Sequence, residues 1–151
     1  ISRMRMRLNL QSDYALRLLM HLTANEGRRV TIADVAERYR ISKNHLMKVA
    51  HVLGREGFIE TVRGRTGGLS LARRPEAIAI GDVVRRMEGD FALVECFPGG
   101  AGGCPITRVC RLKGVLNEAL SAFLAVLDQY TIGDLTKGNS GLRSFLDVKA
   151  A

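Results

Sequence analysis

The sequence predicts a mainly α-helical chain with one small β-hairpin: a winged helix-turn-helix followed by a long dimerisation helix. Three observations predict it. Three successive segments carry apolar residues at helical spacing. The period then changes, with two short apolar segments around "RGRTGG". Further on, Arg111 to Tyr130 holds a seven-residue apolar repeat.

The first helix is expected from Leu10 to Asn25, because Ala15, Leu18, Leu19 and Leu22 recur at i, i+3, i+4 and i+7. Ser12 is its expected N-cap and Gly27 its stop. A second helix runs from Thr31, as N-cap, to Arg40, with Ile32, Val35, Ala36 and Tyr39 inward. A third runs from Ser42 to about Glu56, with Leu46, Val49, Ala50 and Leu53 inward and Gly57 ending it. Phe58–Val62 and Leu69–Ala72 read as the strands of a hairpin whose basic, glycine-rich tip is the wing. The turn between the second and third helices, "YRI", lacks the glycine often found in a helix-turn-helix.

Pro75 marks a break, and a helix is expected over Asp82–Glu88, with Val83, Val84 and Met87 apolar. In the long helix Leu112, Leu116, Ala119, Phe123, Val126 and Tyr130 form a heptad seam, which Leu120, Leu124 and Leu127 widen. It reads as a dimerisation helix that also packs on its own domain; the alternative is the wide core-facing stripe of a monomer. The expected organisation is a DNA-binding domain over 6–75, a cysteine loop and dimerisation helix over 76–137, and a loosely held tail over 138–151. No internal repeat is visible.

With 46% hydrophobic and 25% charged residues, general disorder is excluded. The longest nearly apolar run, "ALSAFLAVL", is far short of a membrane span, and "ISRMRMRLNL" lacks the apolar region of a signal peptide. A cytoplasmic protein with Met6 as native start is expected. Residues 1–75 hold 15 Lys+Arg against 6 Asp+Glu, whereas residues 76–151 hold 8 against 9. The first half therefore carries the electrostatic footprint of a polyanion binder, and double-stranded DNA is the expected partner.

In a helix-turn-helix the N-terminal end of the second helix of the motif meets base edges. That end is "SKNHLMK", which makes Ser42, Lys43, Asn44, His45 and Lys48 the candidate contacts. Asn44 suits adenine, Lys43 and Lys48 suit guanine or phosphate, and His45 suits either. On the wing, Arg63 and Arg65 suit a narrow minor groove or its phosphates. Each basic residue taken alone reads better as a solvated surface charge; their joint placement at both contact points carries the inference. No nucleophile–base pair or phosphate-cradling motif occurs at a workable spacing, so an enzyme is not expected.

The three cysteines all lie in "CFPGGAGGCPITRVC", with seven residues between Cys96 and Cys104 and five between Cys104 and Cys110. That spacing matches neither a zinc knuckle nor a ferredoxin run. Arg108, Arg111, Lys113 and the helix start after Cys110 favour thiolate over thiol. Spacing alone leaves an iron–sulfur cluster, zinc and free redox thiols equally open. Zinc lacks a nearby fourth ligand, since His21, His45 and His51 all lie in the first half, and a thiol switch leaves one cysteine over.

"SDYALRLLMHL", "VRGRTGGLSLA", "IAIGDVVRRMEGDFALVEC", "CPITRVCRLK" and "LDQYTIGDL" resemble, in that order, the iron–sulfur winged helix-turn-helix repressor family. The resemblance runs from about Met6 to Leu135 and is closest to the nitric-oxide-sensing branch. It implies a homodimeric repressor of an operator, with nitric oxide as effector and a cluster on Cys96, Cys104 and Cys110, 4Fe–4S in preference to 2Fe–2S. The cluster-assembly branch has a histidine shortly after the third cysteine, where this chain reads "CRLKG". The nitric-oxide-sensing branch instead uses an aspartate of the first helix, and "SDYALR" offers Asp13 of the partner subunit; without the resemblance Asp13 reads as a first-turn acid favoured by the helix dipole. "CFPGGAGGC" is longer and richer in glycine than the usual gap of the family. The alternatives are an iron- or redox-sensing repressor with a 2Fe–2S cluster and a zinc- or thiol-dependent regulator.

Overall fold

The computed structural model describes residues 6–65 and 67–147. Helix α1 (Leu10–Ala24) buries the expected stripe of Ala15, Leu18, Leu19 and Leu22. Its N-cap is Asn9 rather than Ser12: the Asn9 side chain accepts the Ser12 N–H at 2.7 Å. Ser12 falls inside the first turn, fully buried, with its hydroxyl turned to Glu88.

Helix α2 (Ile32–Tyr39) opens with a capping box, in which Thr31 N–H donates to Asp34 at 2.8 Å and Asp34 N–H to the Thr31 hydroxyl at 3.2 Å. It ends at Arg40, which takes the left-handed conformation (φ 56°, ψ 49°) that glycine usually supplies. Ile41 N–H reaches back to Ala36 C=O at 3.0 Å and closes the turn into α3 (Lys43–Arg55).

Strands β1 (Ile59–Val62) and β2 (Gly68–Leu71) pair antiparallel with Ile59 opposite Leu71 and Val62 opposite Gly68. Leu69 N–H also donates to Val30 C=O at 2.7 Å, so the wing is anchored to the α1–α2 connection. A side chain at Gly68 would meet that Val30 carbonyl at 2.6 Å, which is why glycine sits there.

A 3-10 turn at Pro75–Ala77 leads into α4 (Ile80–Met87), then α5 (Leu112–Asp128), α6 (Ile132–Thr136) and α7 (Ser140–Leu146). Contrary to the expected loose tail over 138–151, α7 is docked. Leu146 is buried, the Asn25 side chain donates to its carbonyl at 2.7 Å, and Asp147 pairs with Arg28. Residues 148–151 lie outside the described residues.

One contiguous core runs through both expected domains. Leu18, Leu19, Leu22, Leu46, Leu53 and Phe58 pack in the same cluster as Ile78, Val83, Val84, Met87 and Ile132. Each such side chain contributes about 1.5–3 kcal/mol.

Helix α5 stands differently: none of its described residues is fully buried. Leu124 and Leu127 pack on the core, whereas Phe123, Val126, Tyr130 and Leu112 are 41% to 57% exposed. The heptad seam thus lies largely outward, and the residues that widen it face the body. Arg85 holds α5 in place through Asp128, and Ile80 N–H donates to Tyr130 C=O at 2.9 Å. Among the described residues no helix is long and apolar enough to cross a membrane.

Candidate nucleic-acid interface and cysteine loop

Helix α3 turns Leu46, Val49, Ala50 and Leu53 into the core, so its opposite side is left to solvent. Lys43, Asn44 and Lys48 lie there, exposed. Ser42 is exposed too, but its hydroxyl caps the helix by accepting His45 N–H at 3.3 Å. His45 is half-buried: its ring meets Tyr14 of α1 edge-on at 4.8 Å, which makes it a packing residue between the helices. Met47, 53% exposed, and His51 share the outward side with Lys43, Asn44 and Lys48. Sequence reasoning passed over both, although each sits at helical spacing from Lys43 and Asn44 and off the buried stripe.

The second candidate contact, the wing, presents Arg63 and Arg65 on either side of Gly64, whose φ of +103° turns the chain sharply. Arg29 donates from Nε to the Gly67 carbonyl at 2.5 Å and braces the hairpin from the α1–α2 connection. Behind this surface, the Arg17 guanidinium lies 5.6 Å and 5.8 Å from the rings of Tyr14 and Tyr39. Burial pushes the Tyr39 phenol up to about 12, so it stays protonated and donates to Arg17 C=O at 3.0 Å.

The three cysteines lie between α4 and α5 as half-buried free thiols. Phe97 is buried and pins the segment beside Cys96, whereas Gly99, Gly102 and Gly103 adopt positive φ, which lets the chain between Cys96 and Cys104 turn tightly. Helix α5 starts two residues after Cys110. Its N-cap, Arg111, makes no side-chain cap, which leaves first-turn amides to face an anion.

Among the described residues no three His, Cys, Asp or Glu side chains lie together as a ligand group, so the chain by itself does not gather its cysteines. Asp13, in the first turn of α1, is half-exposed and held bidentate by Arg17, with both contacts at 3.0 Å. It is not brought to the cysteines of its own chain. As a donor set, three thiols without a disulfide, on a glycine-rich segment with basic neighbours, fit an anionic iron–sulfur group.

The sequence matches the Rrf2 family, described as an iron-dependent transcriptional regulator, over residues 8–138. It is 51% identical to the HTH-type transcriptional regulator NsrR of Bacillus licheniformis, across 93% of this chain and 99% of that one. The Bacillus subtilis protein of the same name is also 51% identical, across 95% and 99%. Among solved structures, T. potens IscR superposes with a TM-score of 0.70 at 27% identity, covering 91% of each chain. The global cysteine regulator CymR of B. subtilis superposes at 0.67 with 25% identity, covering 88% and 98%. The family match spans both the winged helix and the cysteine loop. The chain belongs to the Rrf2 family and is a transcriptional regulator of the NsrR type, not an enzyme.

Proposed function

We propose that this regulator is a homodimeric, cytoplasmic repressor whose operator affinity is set by an iron–sulfur cluster, 4Fe–4S in preference to 2Fe–2S, that responds to nitric oxide. The observation that carries the reading is the three free thiols in a glycine-rich segment immediately before α5, in a chain of this family. Cys96, Cys104 and Cys110 would hold the cluster, with Asp13 of the partner subunit as the single oxygen ligand. When bound, the cluster supplies a centre that reacts with a small uncharged ligand such as nitric oxide.

The chain's own residues do the rest. Lys43, Asn44 and Lys48 would enter the major groove, with Ser42 and His45 fixing the start of that helix and its seat on α1. Arg63 and Arg65 would meet the flanking minor groove and its phosphates. Asp13 belongs to the DNA-binding half and the thiols to the other. A ligand shared between subunits would therefore hold the two recognition helices at a half-site spacing of about one helical turn. To serve, Asp13 must give up at least one of its two contacts to Arg17. Losing the correct pose of one half-site would weaken binding by several kcal/mol, ample for derepression.

The test is an absorbance spectrum of protein purified without oxygen, then titration with a nitric-oxide donor while operator-duplex binding is followed. A brown protein whose visible band bleaches as DNA is released supports the proposal. A colourless protein whose binding ignores the donor refutes it and points to a zinc- or thiol-dependent regulator. Bleaching by oxidant or iron chelation, but not by nitric oxide, would favour a redox- or iron-sensing 2Fe–2S repressor.

A further inference from the structure

The last turn of α4 reaches three other elements through three charged side chains. Arg85 forms a bidentate pair with Asp128 of α5, at 2.5 Å and 2.8 Å. Arg86 donates at 2.6 Å to Glu56, the residue that ends α3. Glu88, the C-cap residue of α4, accepts the backbone N–H of Asn9 at 3.1 Å and the hydroxyl of buried Ser12. Beside it, the Asn9 side chain donates to Met87 C=O at 3.2 Å. The irregular segment that carries the cysteines starts immediately after Glu88.

We infer that Glu88 is a positioning residue for regulation: it clamps the first turn of α1 to the entrance of the cysteine loop, so that the state of the loop and the placement of the recognition helix are linked within one chain. The inference rests on the function proposed above and adds a residue that touches neither cluster nor DNA.

Three features support it. A carboxylate at the C-terminus of a helix is at the unfavourable end of that helix's dipole, so α4 does not explain Glu88. At the N-terminus of α1 the same carboxylate is at the favourable end and satisfies donors that have no intrahelical acceptor. The clamp also lies close to both partners it would join. Ser12 is next to Asp13, and Tyr14, one residue on, carries the ring that meets His45 of α3 at 4.8 Å. Downstream, the irregular segment that carries the cysteines begins at Gly89, directly after Glu88, so no other element separates the clamp from that segment.

The test uses full-length protein, cluster-loaded and cluster-free, as wild type, Glu88→Ala and Glu88→Gln. The probe is a duplex selected from a random library by the loaded wild type. Iron and sulfide per chain, duplex affinity at one fixed salt, and hydrogen exchange of the amides of residues 9–14 are measured. In Glu88→Ala we expect unchanged iron and sulfide, and exchange of those amides faster by about tenfold. The ratio of loaded to cluster-free affinity should fall by about tenfold, as one hydrogen-bonded charge is worth. Glu88→Gln keeps an acceptor for the Ser12 hydroxyl and should recover much of the ratio.

Faster exchange with an unchanged ratio would reduce Glu88 to a simple helix cap and overturn the inference. Loss of iron and sulfide in Glu88→Ala would also overturn it, by making the residue part of the cluster site. Should Glu88→Ala not fold, Ser12→Ala removes the same contact from the other side and must lower the ratio likewise. A wild type whose duplex affinity ignores its cluster refutes the proposed function itself, a result recognisable before any variant is compared.

Discussion

His21 makes acid a specific weakness of this fold. The residue lies in the last turn of α1 and is 1% exposed, and neither ring nitrogen meets a hydrogen-bond partner among the described residues. Its ring faces that of Tyr39 at 6.0 Å. Burial pushes its pKa down from 6.5 to about 4; Asp34 opposes the shift and Arg38 adds to it. The folded chain therefore holds a neutral imidazole where the unfolded chain gains a proton below pH 6.5. Stability from this residue is complete above pH 6.5 and is lost as pH falls through the window from 6.5 to about 4. A gap of about 2.5 between the two pKa values corresponds to roughly 3 kcal/mol in all, and about 2 kcal/mol of it is gone by about pH 5. His21→Leu removes the titrating group and leaves an apolar side chain of similar size. Urea unfolding followed by circular dichroism, at about pH 7.5 and about pH 5 and one fixed chain concentration, measures the effect on cluster-free protein. Wild type should lose about 2 kcal/mol more than the variant between the two conditions. Equal losses would show that His21 is protonated or partnered in the folded state and would refute the reasoning.

Arg40→Gly should relieve the left-handed strain between α2 and α3, stabilising the fold by about 1 kcal/mol and raising Tm by about 2–4 °C in a thermal scan. Lys48→Ala should weaken duplex binding with little dependence on sequence and reduce the slope of log affinity against log salt by about one, measured by anisotropy across a salt series. Val126→Glu places a charge on the exposed side of α5 and should give monomers in sedimentation equilibrium, where an unchanged mass would deny that this face pairs. Asn25→Ala removes donors to both His21 and Leu146 carbonyls; it should cost about 2 kcal/mol and speed proteolysis near α7.

What the sequence disclosed follows from which signals are local. The stripes of α1 and α3, the Thr31 capping box and the hairpin around Gly64 are written in residues a few positions apart, so spacing reveals them. The true cap of α1 was misplaced because Asn9 and Ser12 are both cap-type residues. The choice depends on Glu88, 76 positions from Ser12, which takes the serine hydroxyl and so draws Ser12 into the first turn. Helix α7 was hidden for a similar reason. "NSGLRSFL" has only Leu142, Phe145 and Leu146 as large apolar residues, and its order comes from the Asn25 and Arg28 contacts to Leu146 and Asp147. On α3, reading polarity in place of exposure favoured His45, which packs against Tyr14, over Met47, which faces solvent. The cysteine set is legible as chemistry but not as geometry: its residue types are plain, whereas within this one chain Asp13 is tied to Arg17 and away from the thiols.

The unbroken core has a consequence for recombination. Phe58 behind the wing and Leu18 of α1 share one packed cluster with Val83 and Ile132, which come from the far side of the Pro75 break. A fragment cut at Pro75 would expose the apolar faces that α4 and α6 cover, leaving a sticky patch where the intact chain is close-packed. The reader head of this regulator is therefore not a cassette that can be moved by cutting after the wing. A chimera that borrows its operator preference must also import α4 and α6, or replace the cover they provide.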